Sequence, residues 1–176
     1  MARLPKLFMA SGLIFFLLGS SVLAAGRSSS APSQAGKSLE KAPSFRLRDL
    51  EGKEVQLEDY AGRVILLDFW ASWCPPCQEE IPGLIKVYRE YREKGFVILG
   101  ISVGEDPSAT RGFAKKIGIP YPVLFGDRTV LEAYKGVYFL PTAFLIDRKG
   151  NIRERLVGAR EAKELEAKIL PLLETP

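Results

Sequence analysis

Cys74 and Cys77 are the only cysteines in the chain, and two residues separate them. A pair at this spacing can cycle between dithiol and disulfide, supply half of a zinc site, or anchor a haem when a histidine follows directly. Zinc needs a second pair of ligands, and the 176 residues include no further cysteine and no histidine. Gln78 stands where the haem motif needs histidine. A structural disulfide framework needs more cysteines at wider spacing. What remains is dithiol–disulfide exchange by the pair itself or, as the bland alternative, a purely structural bridge between the two. The absence of histidine also removes Ser-His-Asp and Cys-His nucleophile pairs and any imidazole proton shuttle.

The elements around the pair are readable. Residues 64–70, VILLDFW, form a nearly continuous apolar run, the pattern of a strand buried on both faces. Residues 75–94 should form a helix with Ile81, Leu84, Ile85, Val87, Tyr88 and Tyr91 on its apolar side. The segment Trp73-Cys74-Pro75-Pro76-Cys77 therefore falls where strand gives way to helix. Cys74 takes the N-cap, where the helix dipole and free backbone N–H groups favour a thiolate. Pro75 suits the first helical position, where its missing N–H has no partner anyway. Cys74 is expected to be the exposed attacker, with Cys77 the resolving thiol tucked beneath it.

Two carboxylates can serve this chemistry. Asp68 interrupts the apolar run, so burial should raise its pKa. Glu80 lies one helical turn after Cys77 and can share its face. Either could accept the proton of Cys77, Asp68 first. Trp73, beside the nucleophile, is the candidate partner-contact residue. Phe69 and Trp70 read as core, and Tyr138 as a further residue framing the site.

The rest of the chain supplies a scaffold. Phe45, Leu47, Val55 and Leu57 alternate around Asp49-Leu50-Glu51-Gly52, which suggests a β-hairpin. A second buried strand is expected over 96–103, helices over 107–117 and 128–134, a hairpin of 142–147 with 151–156, and a closing amphipathic helix over 161–173. There is no internal repeat. This order fits an α/β domain whose central sheet carries helices on both faces. The composition is 47% hydrophobic and 26% charged, ordinary for a globular protein. A net charge of +4 without a basic stripe of interleaved aromatics gives no sign of nucleic-acid binding.

The N-terminus speaks to location. Arg3 and Lys6 precede an uncharged stretch over 7–26, with an apolar centre at 13–18 and small residues at its end. Residues 1–26 read as a signal peptide or, since about 20 apolar residues span a bilayer, as an uncleaved membrane anchor. Residues 27–41 read as a linker and 42–176 as the folded domain. Either version places the domain outside the cytoplasm, in a bacterial periplasm or on the outer face of the membrane.

The segment FWASWCPPC over 69–77 strongly resembles the thioredoxin superfamily. Glu80-Ile81-Pro82 and the stretch LPTAFLID over 140–147, followed by Gly150, resemble its exported TlpA/ResA-like branch, which includes thiol reductases of cytochrome c maturation. The resemblance runs from about residue 42 to the C-terminus. It implies a thioredoxin-like fold: a central mixed β-sheet, helices on both faces and an N-terminal β-hairpin extension. It implies a redox-active Cys74–Cys77 disulfide with no metal or separate cofactor, and a cis-proline at Pro141 facing it. Trp73, Pro75, Pro76, Leu140 and Pro141 would then border the substrate. The implied partners are protein thiols and disulfides, apocytochrome c first, and a membrane electron donor of the DsbD/CcdA type, with the protein acting as a monomer. Asp68 departs from the Asn of many members of that branch and matches the buried aspartate of thioredoxin.

Two other functions compete. A peroxiredoxin-type thiol peroxidase shares the hairpin and general fold, but its nucleophile follows a Thr one turn earlier and uses an Arg; Trp70 and Ala71 precede Cys74 here. A thioredoxin-like copper chaperone typically adds a histidine ligand. The expected direction of exchange is reductive. Pro75 and Pro76 remove two N–H donors from the helix start, and ionised Asp68 and Glu80 would oppose a negative sulfur.

Overall fold

The computed structural model describes residues 39–104, 106–135 and 137–175. The expected targeting segment over 1–26 and most of the expected linker lie outside the described residues. Among the described residues no helix is long and apolar enough to cross a membrane.

Among the described residues seven strands form one sheet: β1 (Arg46–Asp49), β2 (Glu54–Gln56), β3 (Val64–Trp70), β4 (Phe96–Ser102), β5 (Val123–Phe125), β6 (Thr142–Ile146) and β7 (Ile152–Val157). Four helices accompany them: α1 (Pro75–Tyr91), α2 (Pro107–Ile117), α3 (Arg128–Ala133) and α4 (Ala162–Glu174). The spatial order is β2-β1-β5-β4-β3-β6-β7. Strand β3 runs parallel to β4 and antiparallel to β6, so the sheet is mixed.

Alternation along β3 divides the core. Val64, Leu66 and Trp70 join a cluster with Ile81, Leu84 and Val87 of α1 and Leu165 and Ile169 of α4. Ile65, Leu67 and Phe69 join a second cluster with Val130 and Tyr134 and with Phe45, Leu47 and Val55 of the hairpin. Helices thus cover both faces, as expected. All seven residues of β3 and all seven of β4 are buried. That explains their unbroken apolar runs: with both faces covered, neither strand has a solvent side to mark with polar residues.

Turn chemistry pins the two hairpins in the same way. Asp49 Oδ1 accepts from the backbone N–H of Glu51 and Lys53, and Asp147 Oδ1 accepts from those of Lys149 and Asn151. At the N-terminal edge, Lys41 bridges Asn151, and the Glu40 carbonyl accepts from Ile152 N–H.

The structure corrects several boundaries. The helix expected over 75–94 ends at Tyr91, and a 3-10 turn covers Arg92–Lys94 before Gly95 (φ +92°) reverses the chain. Strand β4 stops at Ser102, and α3 stops at Ala133. Hairpin β6–β7 is framed by 146 and 152 rather than 147 and 151, and α4 spans 162–174. Strand β5 was not foreseen. It lies between β4 and β1 and ties the N-terminal hairpin to the central sheet.

Candidate active site

The site begins with the end of β3. Trp70 carbonyl accepts from Val103 N–H at 3.0 Å, which fixes the strand end against β4, and Cys74 N–H donates to Ala71 carbonyl at 3.2 Å. Cys74 is the N-cap of α1, with extended backbone angles (φ −91°, ψ 107°), and Pro75 and Pro76 fill the first two helical positions. The proline rings set the helical φ but bring no N–H. The first donor left is Cys77 N–H, which points to Cys74 Sγ at 3.3 Å. Cys74 and Cys77 are joined as a disulfide, their Cα atoms 5.3 Å apart.

Cys77 is fully buried, as expected of a resolving thiol. The expectation of an exposed Cys74 needs correction: in this oxidised state only 4% of the residue is accessible. Its sulfur is bonded toward Cys77, and both belong to the apolar cluster beneath α1. Accessible surface belongs instead to the neighbours. Pro75 and Pro76 are exposed, and Trp73 is 61% exposed. Trp70, the last residue of β3, is buried and packs its ring 5.5 Å from that of Phe113 on α2. The two tryptophans have separate jobs, one in the core and one at the rim.

Pro141 enters β6 through a cis Leu140–Pro141 bond. Its successor Thr142 pairs with Phe69, so the bond stands beside the β3 end that leads into the cysteine loop. Pro141 carbonyl accepts from Gly158 N–H, and Thr142 Oγ1 donates to Phe139 carbonyl. Leu140 is half-buried against the cluster that holds both cysteines. Just before it, Tyr138 and Phe139 are 82% and 69% exposed. The sequence reading named Tyr138 and missed Phe139; two adjacent aromatics ahead of the proline were the available signal.

Asp68 and Glu80 are brought together by a residue the sequence reading did not single out. Arg160, in the β7–α4 loop, grips Glu80 three times: Nε to Oε2 at 3.0 Å, Nη2 to Oε1 at 3.2 Å, and backbone N–H to Oε2 at 3.2 Å. It reaches Asp68 once, Nη2 to Oδ1 at 3.4 Å. All three side chains are at least 97% buried. Asp68 Oδ2 has no hydrogen-bond partner, nor has Arg160 Nη1. Asp68 fits because its sheet neighbours are small, Gly100 on β4 and Ala143 on β6. A Cβ on Gly100 would stand 3.0 Å from Trp70 Nε1 and 3.3 Å from the Tyr121 ring, so a larger residue here would have to push these rings aside by a few tenths of an ångström.

Burial raises the Asp68 pKa to about 8, repulsion from Glu80 adds to the rise, and Arg160 opposes it. Burial also raises Glu80, against the pull of Arg160. Tyr121, facing both acids, is pushed well above its usual value, first by burial and then by the two carboxylates. Arg160 thus pairs most closely with Glu80, while burial and the neighbouring Glu80 favour the neutral form of Asp68. The opposition that ionised Asp68 and Glu80 would offer to a negative sulfur is lessened by Arg160, whose guanidinium pairs with both acids and most closely with Glu80.

A reducible disulfide at a helix N-terminus, a buried resolving cysteine and a buried carboxylic acid poised near neutral pH make a dithiol-exchange site. Known proteins with the same sequence pattern agree. The AhpC/TSA family matches residues 39–155. Thiol-disulfide oxidoreductase ResA of Bacillus thuringiensis (strain Al Hakam) is 37% identical over 133 residues, covering 76% of this chain and 75% of that protein. Its counterpart in Bacillus subtilis (strain 168) is 33% identical over 159 residues, covering 90% and 88%. The chain belongs to the AhpC/TSA family and, within it, groups with the ResA thiol-disulfide oxidoreductases. A solved thiol:disulfide interchange protein of the thioredoxin family from Chlorobium tepidum superposes with a TM-score of 0.73 at 31% identity, covering 77% of this chain and 97% of that one. The fold of this family member is accordingly thioredoxin-like, and its enzymatic class is thiol–disulfide oxidoreductase.

Proposed function

We propose that the protein works outside the cytoplasm as a reductant of disulfides in partner proteins, with apocytochrome c as its first substrate. The observation that carries this reading is the Cys74–Cys77 pair at the start of α1, accompanied by the buried carboxyl of Asp68 and rimmed by exposed Trp73, Pro75, Pro76 and Phe139. The reduced form attacks with the Cys74 thiolate. An S–S bond forms between Cys74 and one partner sulfur, and the partner's second sulfur leaves as a thiolate that takes a proton from water. Cys77 then gives its proton to the ionised form of Asp68, whose share grows as pH rises toward 8, and attacks Cys74 Sγ. The Cys74–partner bond breaks, the second partner thiolate is released, and the two electrons of the pair have reduced the partner's disulfide. The pair is the redox group, so no metal or separate cofactor takes part. A membrane electron donor of the DsbD/CcdA type would restore the dithiol. The protein acts as a monomer, held or sent across the membrane by residues 1–26.

The test is reduction of an oxidised Cys-X-X-Cys-His peptide from an apocytochrome c by the reduced protein. We expect stoichiometric loss of the peptide disulfide. Trp73→Ala should raise KM by about tenfold, the scale of an exposed aromatic anchor worth more than 1 kcal/mol, while kcat toward a small disulfide stays within about twofold. No reduction of the peptide, faster consumption of hydrogen peroxide with a thiol donor, or one copper ion bound per reduced protein would replace this reading with one of its competitors. A reporter fused after Pro176 should be active only outside the cytoplasm; activity confined to the cytosol sinks the location.

A further inference from the structure

We propose that Arg160 is a positioning residue that sorts the two buried acids, holding Glu80 as its ion partner and so leaving Asp68 as the group that exchanges a proton with Cys77. The proposal deepens the mechanism above and rests on its assignment of Asp68 as the proton acceptor.

The geometry is unequal in a way that decides the roles. Glu80 receives three hydrogen bonds from Arg160 that engage both of its oxygens, whereas Asp68 receives one bond of 3.4 Å on one oxygen. Two buried carboxylates cannot both ionise around a single cation without a large penalty. The charge settles where the cation is best placed, and that is Glu80. Asp68 is left with one long bond on Oδ1 and no hydrogen-bond partner for Oδ2 among the described residues, so it is the acid able to pass between its neutral and ionised forms. Its burial and the nearby Glu80 charge raise its pKa to about 8, the range in which a thiol changes its proton.

The titratable and charged groups that act on Asp68 are Glu80 from α1, Arg160 from the β7–α4 loop and Tyr121 from the segment before β5, while Cys77 of α1 lies in the cluster that holds Leu66 and Trp70, the neighbours of Asp68 on its side of β3. Arg160 is the cation among the buried polar and charged residues described. Because it approaches from a loop 80 residues after Glu80, its backbone N–H bond also docks that loop on α1. The same loop is tied to the proline strand, since Gly158 N–H donates to Pro141 carbonyl. The segment that carries the sorting cation is thereby fixed to both walls of the site.

The test combines carboxyl titration with resolution kinetics in the full chain. Residue-assigned carbon-13 NMR of the side-chain carboxyls should find Glu80 ionised and Asp68 protonated at pH 7. For the mixed-disulfide step, resolution by Cys77 should rise through about pH 8 in the unsubstituted protein. Arg160→Met should move that rise alkaline by a unit or more and slow resolution at pH 7 by about tenfold, the fold-change of a one-unit shift. Attack by Cys74 should stay within about twofold, and Arg160→Lys, which restores the charge without the fork, should recover part of the shift. If Arg160→Met does not fold, the titration of the unsubstituted chain still decides: a protonated Glu80 beside an ionised Asp68 overturns the proposal. A flattened Asp68→Asn profile beside an unmoved Arg160→Met profile overturns the role of Arg160 alone. An Asp68→Asn profile identical to the unsubstituted one removes Asp68 as the acceptor and takes the underlying mechanism with it.

Discussion

Replacing Cys74 by Ser is expected to reduce protein-disulfide exchange to the uncatalysed level, whereas replacing Cys77 by Ser leaves an enzyme that attacks and does not release. The asymmetry follows from position. Cys74 caps α1, accepts from Cys77 N–H and keeps the little accessibility the pair has. A thiolate there gains from the helix dipole, and serine's hydroxyl does not ionise in this pH range. Cys77 is fully buried, so a partner disulfide has no route to it. With Cys77→Ser the covalent complex should accumulate to one partner per protein and be reversed by added dithiol. Limiting alkylation of the reduced protein supplies an independent check: Cys74 should be modified first, and prior labelling of Cys77 reverses the assignment.

The second large effect concerns Asp68→Asn, which should slow resolution by about a hundredfold, the low end of what a positioned general base contributes, while attack by Cys74 is little changed. The same substitution should stabilise the fold, in a pH-dependent way. The folded pKa of Asp68 lies near 8, above the usual unfolded value near 3.9. The folded state therefore binds more protons than the unfolded state between these values, and stability falls as pH rises through that window. Asparagine cannot ionise, so the variant escapes that fall. Its advantage should be small at pH 4, grow through pH 8 and level off above it, on the order of a few kcal/mol at pH 9. Urea unfolding at pH 4, 7 and 9 measures it; an advantage that shrinks with rising pH contradicts a buried, protonated Asp68.

Much of this site is legible in the sequence because the signals are local. The apolar run of β3 ends directly before the cysteine loop, and its one charge, Asp68, announces its own burial. Pro75 marks the first residue of α1, and the i, i+3 spacing puts Glu80 on the face of Cys77. What escaped the sequence depends on distant contacts. Strand β5 is three residues long and follows Pro120 and Pro122, which read as punctuation; its ladder partners on β4 and β1 come only with the fold. Arg160 looks like an ordinary loop cation, yet it is 92 residues from Asp68 and 80 from Glu80. Two acids facing an apolar core implied a cation somewhere, but nothing local said which of the chain's lysines and arginines it was. The burial of Cys74 was missed because an N-cap was equated with exposure, whereas this helix start is packed within the cluster that holds its partner.

Arg160 also changes how the direction of exchange is argued. With Arg160 paired to Glu80 and burial favouring the neutral form of Asp68, the buried cluster opposes a thiolate less than two free carboxylates would. What stabilises the Cys74 thiolate is the helix N-terminus, here reduced to the Cys77 N–H because Pro75 and Pro76 donate nothing. A strong oxidant needs a much better stabilised thiolate than this, because its potential rises as its reduced form becomes more stable. The most direct test is the equilibrium of the Cys74–Cys77 pair with glutathione at pH 7. The account predicts a potential near that of thioredoxin, about −270 mV. A value more positive than about −180 mV, the range of protein disulfide isomerase, contradicts it and makes the protein an oxidase or isomerase.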